Sequence, residues 1–393
     1  MGRANFLPFS RPTIEADEID EVVDSLKTGW ITSGPKVQRF EQMFVERLGT
    51  KHAVAVNSAT AGLHIAMLTL NLAPDDEVIV PALTWPSTAN VVEQAGGRTV
   101  FADVEPDTLN MDLEDVRKRI TPRTRALVPV HFAGAPVDLS GYRALCAEHG
   151  LTLIQDAAHA VGTFCRGVEV GAQLGPNEMV VFSFHPIKNI TTGEGGMVMV
   201  DDDEVADRLR LLRFHGVSKD AWKRYQRGGV PRYEVVEPGW KYNMLDLQAA
   251  LGIHQLEKLE RFNARRTELA KRYQTLLTDL PEVRPLGEVS YPGVHAWHLF
   301  IVRLDIDALT IDRDHFMAAL GEANIGVGLH FPAVHRQLYY REKYGYEPGS
   351  LPHAEAAGER ILSLPLYPLL TEADQDDVVA ALREIVQSHR RTS

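Results

Sequence analysis

From about residue 50 to residue 200 the chain alternates short unbroken apolar runs with stretches whose apolar positions recur every three or four residues. The unbroken runs at 52–56, 77–80, 98–102, 126–130, 152–154, 179–183 and 197–200 read as strands buried on both faces. Pro81 stops the second run. The first is followed by 59–70, where Leu63, Ala66, Met67 and Leu70 fall on one helical face. Buried strands with helices between them predict an α/β fold around one large, mostly parallel sheet covered on both faces. A long helical stretch, 245–277, leads away from it. Beyond lie a strand at 298–302 and helices at 313–323 and 372–388. The pattern divides the chain into a large domain, 1–255, and a smaller C-terminal α+β domain, 256–393. Residues 218–238, rich in Gly, Pro and basic side chains, predict an exposed loop before the long helix.

Composition narrows the class. The chain has 393 residues, 45% of them hydrophobic and 24% charged, a balance that builds a globular core without disulfide or metal staples. The two cysteines, Cys146 and Cys165, form no CxxC pair, which predicts a reducing compartment and no zinc site. With a formal net charge of −12 the chain is a poor non-specific binder of nucleic acid or of anionic membrane. No apolar stretch approaches the length of a membrane span, and the first residues carry no leader pattern; a cytoplasmic protein is expected.

In open α/β sheets chemistry gathers at the carboxyl ends of the strands. Here those ends carry Asn57-Ser58, Pro81-Ala82, Asp156 and Ser183. The richest segment is Ser183-Phe184-His185-Pro186-Ile187-Lys188-Asn189-Ile190, followed by Gly193-Glu194-Gly195-Gly196. A lysine just past a strand end becomes a nucleophile at neutral pH when it is desolvated. Most lysines are solvated surface cations, so Lys188 alone decides nothing; its companions do. Asp156 can hold a proton on a pyridine nitrogen, although an acid there also suits a helix N-cap. Asn57-Ser58-Ala59-Thr60-Ala61-Gly62 is a strand-to-helix turn whose free N–H groups suit a phosphate. Trp85, just past another strand end, can stack on a flat ring. Phosphate, ring face, ring nitrogen and aldehyde of one ligand, pyridoxal 5'-phosphate (PLP), thereby each find a partner.

These segments resemble the sugar aminotransferases of the DegT/DnrJ/EryC/StrS type, within the fold-type I, aspartate aminotransferase-like PLP enzymes. The likeness runs nearly end to end, through Phe9-Ser10-Arg11-Pro12, Gly29 to Pro35, Gln155-Asp156-Ala157-Ala158-His159, Ser183 to Lys188, Asp246-Leu247-Gln248-Ala249-Ala250 and Leu364-Pro365-Leu366. Within the family, Trp30-Ile31-Thr32, Val130 to Pro136, His295-Ala296-Trp297-His298-Leu299-Phe300 and Gly328-Leu329-His330-Phe331 are most similar to the subgroup that makes UDP-4-amino-4-deoxy-L-arabinose for lipid A modification.

The resemblance implies roles residue by residue. Lys188 matches the lysine that binds the cofactor covalently and Asp156 the pyridine-nitrogen partner. His159 matches a position that hydrogen-bonds the ring's phenolic oxygen. Ala59 and Thr60 with Ser183 match the phosphate cradle, and Trp85 matches the stacked aromatic. In Gly239-Trp240-Lys241-Tyr242-Asn243, Lys241 and Asn243 replace the Asn and Arg that usually reach the neighbouring subunit's phosphate. A homodimer with shared active sites is thus implied. The implied reaction moves an amino group from glutamate, leaving 2-oxoglutarate, to a 4-keto sugar nucleotide, a UDP-4-keto-pentose or, as the alternative, another NDP-keto-hexose, with Lys188 as the base. Trp30, His185 and His330 are candidate sugar contacts, and Arg224 and Arg227 candidate diphosphate contacts. A sugar dehydratase of this family would carry histidine in place of Lys188. A regulator would need a DNA-binding domain, and a phosphate-loop NTPase a GxxxxGK[ST] pattern, which does not occur.

Overall fold

The computed structural model describes residues 3–217 and 233–391. The apolar runs form strands β1 (His52–Val56), β2 (Glu77–Pro81), β3 (Arg98–Ala102), β4 (Thr124–Leu127) and β5 (Thr152–Asp156). Two short strands come next, β6 (Phe164–Cys165) and β7 (Val168–Glu169), then β8 (Glu178–Ser183) and β9 (Gly196–Val200). The large sheet runs β1-β9-β8-β5-β4-β2-β3. Its run from β8 to β3 is parallel, while β9 pairs antiparallel with both β1 and β8. The parallel character expected from the sequence therefore holds for most of the sheet. It breaks where residues 184–195 return as a loop instead of a crossover helix, setting Gly196 opposite Ser183.

The first four helices are α1 (Ala16–Thr28), α2 (Pro35–Leu48), α3 (Ala59–Leu68) and α4 (Pro86–Gln94). Ser58 caps α3, its side chain accepting from the Ala61 N–H at 3.1 Å. Helix α3 is buried nearly all round, so its burial rather than amphipathic patterning holds it in place. On the opposite face Phe40 and Phe44 of α2 pack on Phe182 and Phe184 with ring centroids 5.2–5.7 Å apart. Phe184 is fully buried and anchors the start of the 184–195 loop.

The later chain adds β10 (Val283–Pro285), β11 (Gly293–Val294), β12 (Phe300–Leu304) and β13 (Ile361–Leu364). An antiparallel sheet of order β10-β12-β13 packs under the helices Leu259–Leu276, Arg313–Glu322 and Glu372–His389. The single long helix expected over 245–277 is two helices, Asp246–Glu257 and Leu259–Leu276, joined at Lys258. Lys258 sits there because Glu18, with no exposed surface, and Glu15 take its ammonium at 2.8 and 3.0 Å. The N-terminal segment packs against the helices of this second sheet: Leu7 bridges Ile325, just past Arg313–Glu322, and Arg3 pairs with Asp374 and Asp377 of Glu372–His389.

Candidate active site

Three strand ends and one loop converge. β5 delivers Asp156, which is buried; its Oδ2 accepts from Thr88 Oγ1 at 2.8 Å and its Oδ1 from the Ala158 N–H at 3.1 Å. Because Thr88 donates to Asp156, its own oxygen accepts from Thr84 at 2.9 Å. Burial pushes the Asp156 carboxyl up; the Thr88 and Ala158 bonds and the Lys188 charge pull it back down. The carboxyl is thus a buried acceptor kept partly short of donors, suited to a ring N–H.

Lys188, half-buried, rises from the 184–195 loop, its Nζ 3.3 Å from His298 Nε2. Desolvation lowers its amine to about 8, opposed by the Asp156 charge. A fraction of the amine is therefore free base at neutral pH, which a solvated lysine is not. Burial and the Lys188 charge also hold His159 far below the usual imidazole range and His330 at about 3, so both rings are neutral. The Ala133 N–H donates to His159 Nδ1 at 3.2 Å, which leaves the proton on Nε2 and makes that atom a donor. Phe331 stacks on His159 with centroids 6.0 Å apart, and Trp85, largely exposed, lies 5.9 Å from Phe331.

The α3 N-terminus meets the same strand ends. Ala59 and Thr60 are its first two residues, and the cap from Ser58 serves only Ala61. Their N–H groups have no helical partner and face outward with the positive end of the helix dipole. Buried Ser183 lies opposite Gly196, and a Cβ at Gly196 would stand 2.8 Å from Ala59 N. Only glycine lets the helix start seat this close to the sheet end. PLP fits this donor set: two free N–H groups for its phosphate, a buried carboxyl for its ring nitrogen and an amine of lowered pKa for its aldehyde.

The remaining expected residues divide three ways. His330 joins the site, its Nδ1 2.9 Å from Ser363 Oγ, and His185 stands half-exposed at its edge near Glu194. Trp30 is exposed beyond α1, packed near Gly34. Asn243 is buried and donates to Ser33 Oγ at 2.7 Å, while exposed Lys241 lays its Nζ 4.3 Å from the Phe214 ring centre. Arg224 and Arg227 lie outside the described residues. Sequence reasoning gave no role to Thr88, Phe331 or His298. His298 was visible only inside the His295-to-Phe300 likeness; nothing in spacing marks a residue 110 positions from Lys188 as its neighbour. Among the described residues no group of three or more His, Cys, Asp or Glu is placed to hold a metal ion, and no helix is long and apolar enough to cross a membrane.

Fold and site together define a PLP-dependent enzyme of fold type I, the aspartate aminotransferase-like class. Residues 12–383 match the DegT/DnrJ/EryC1/StrS aminotransferase family, and the chain belongs to that family. Among solved structures it is similar to the sugar aminotransferase Spr1654 of Streptococcus pneumoniae in its PMP form, at 30% identity and a TM-score of 0.89, covering 97% of this chain and 99% of that one. It is also similar to DesV of S. venezuelae, solved in complex with a ketimine intermediate, at 33% identity and a TM-score of 0.85 over 98% and 100% of the two chains. PseC of Helicobacter pylori, an aminotransferase of pseudoaminic acid biosynthesis, shares 27% identity with a TM-score of 0.87 over 98% and 100%.

Proposed function

We propose that this enzyme moves an amino group from L-glutamate to a 4-keto sugar nucleotide, a UDP-4-keto-pentose of the 4-amino-4-deoxy-L-arabinose type, in the cytoplasm. The observation that carries the reading is the convergence of a desolvated Lys188, a buried Asp156 and the open α3 N-terminus at the ends of β5, β8 and β1. Bound PLP supplies an aldehyde that takes up amino groups and a ring that withdraws electrons. The chain's own residues do the rest. Ala59, Thr60 and Ser183 hold the phosphate, and Trp85 covers the ring. His159 donates from Nε2, and Asp156 keeps a proton on the ring nitrogen. Lys188 Nζ, once free, carries the proton between carbon atoms as general base and acid.

The active form is proposed to be a homodimer of two-lobed chains (1–255 and 256–393), with Lys241 reaching the partner's phosphate site. Exposed Lys241 supports that role, whereas the Asn243 amide is already engaged by Ser33. Trp30, His185, His330, Arg224 and Arg227 are proposed to bind the sugar nucleotide. A half-reaction screen tests this reading: pyridoxamine-form enzyme is mixed with a panel of 4-keto sugar nucleotides while the cofactor spectrum is followed. The UDP-pentose should react fastest; faster turnover with a hexose nucleotide would move the assignment to that sugar.

A further inference from the structure

His298 takes no part in the chemistry proposed above, yet more of the structure is committed to it than to any expected substrate contact. It is 2% exposed and sits just before β12. Both flanks of its segment are clamped. Asn189 Nδ2 donates to Ala296 O at 2.7 Å, and buried Arg266 donates from Nη1 to Trp297 O, His298 O and Leu366 O at 2.9–3.2 Å. The Ala296 N–H bonds Gly134 O at 3.0 Å and the Leu299 N–H bonds Ala133 O at 3.2 Å. Gly134 adopts φ 94°, and a Cβ there would stand 2.9 Å from His159 O and 3.1 Å from His298 N. Only glycine permits so close an approach.

This clamp presents the ring with Nε2 3.3 Å from Lys188 Nζ and the ring centre 4.4 Å from that of His159. The other nitrogen, Nδ1, is buried without a hydrogen-bond partner among the described residues. Such orphans are rare and costly, and a histidine kept only for packing would be expected to have both nitrogens satisfied or to be replaced by an apolar ring. The groups facing it are Lys188, His159, Arg266 and His330, all cationic or capable of becoming so. Burial foremost, then the Lys188 charge, keeps the imidazole neutral.

We propose that His298 is a positioning residue for Lys188, accepting one N–H of its amine on Nε2 and so fixing which way the amine's lone pair faces. The bond survives both charge states of the amine. When Lys188 takes a proton from one carbon it becomes an ammonium that still donates to Nε2; when it returns the proton to the other carbon it is a free amine again. His298 gains and loses no proton. The proposal rests on Lys188 being the cofactor lysine.

The test uses two variants of the full chain. His298→Phe keeps an aromatic ring, somewhat larger, and removes the acceptor; His298→Gln keeps an acceptor. In cofactor-free protein, amine-reactive labelling of Lys188, followed by peptide mass spectrometry across pH, should show a midpoint of about 8 in the parent enzyme. Without an acceptor the ammonium is less favoured, so the midpoint in His298→Phe should fall by roughly half a pH unit or more, and His298→Gln should restore it. In the loaded enzyme, proton exchange at Cα of deuterated glutamate should slow about tenfold to a hundredfold in His298→Phe, with KM and borohydride trapping of the cofactor unchanged. An unmoved midpoint, or an exchange rate within about twofold of the parent, overturns the proposal. So does failure of His298→Phe to take up cofactor at all, because the residue would then be holding the site together. Whether the parent traps cofactor on Lys188 is read separately and judges the underlying assignment alone.

Discussion

At Asp156 burial and hydrogen bonding pull in opposite directions, and the balance sets how well the carboxylate can hold a partner's proton. Replacing it with asparagine leaves a neutral amide of the same shape. Asp156→Asn should retain cofactor but lose roughly a hundredfold or more of kcat, the range of electrostatic catalytic effects. The single Thr88 donor works indirectly, by favouring the charged form of Asp156. A hydrogen bond to a charged group contributes about 1.5–3 kcal/mol, so Thr88→Val should lower kcat about tenfold to a hundredfold with little change in the KM for glutamate. Near-normal turnover would mean that Ala158 N–H alone suffices. Lys188→Ala should fold normally, trap no cofactor with borohydride and show no transamination; substantial turnover would remove Lys188 from its role. Asp156 and Lys188 could be picked from the sequence because strand ends are visible as the stops of apolar runs. Thr88 could not: one threonine inside a helix, aimed at a carboxylate 68 positions on, leaves no local trace.

Among elements, α3 shows how a helix becomes a binding site by where it starts. Its cap satisfies the third N–H and leaves the first two open, at the point where β9 carries glycine. Gly196→Ala would place a methyl 2.8 Å from Ser58 C and Ala59 N and 2.9 Å from Phe182 O, all backbone atoms that cannot swing away. Overpacking of this kind costs about 1–3 kcal/mol. The helix start should shift, and PLP titration should show weaker binding together with a lower Tm; unchanged cofactor affinity would mean that the phosphate sits elsewhere. The strands of this sheet were legible because burial on both faces makes them continuously apolar, and Ser58 marks the helix start. The return of β9 was not, since direction depends on whether a loop or a helix fills residues 184–195. The break at Lys258 was hidden for a similar reason: the apolar period runs on through it, and the acids that hold it come from α1.

For the molecule as a whole, Ile19, Val23 and Leu26 recur along α1 and are each more than a third exposed, with Trp30 and Ile31 just beyond. Positions i, i+4 and i+7 share one helical face, and such a contiguous apolar stripe suits burial against a second chain. The proposed dimer should use this face. Leu26→Asp should shift sedimentation toward monomer and weaken PLP retention with it; a dimer undisturbed by the change would place the interface elsewhere. Nothing in the periodicity of the sequence pointed to residues 3–7 packing with the C-terminal helices. Leu7 belongs to the core formed by Phe316, Val378 and Leu382, and Arg3 bonds Asp377 across 374 positions. The distance along the chain gives that crossing a consequence. Arg3 and Asp377 lie 374 positions apart, so their contact closes a loop across most of the 393 residues, and the entropy of closing it must be met before the contact rewards it. Contacts of that span form slowly, so residues 3–7 should gain hydrogen-exchange protection after the large sheet when the protein refolds; simultaneous protection would show that the crossing forms with the sheet.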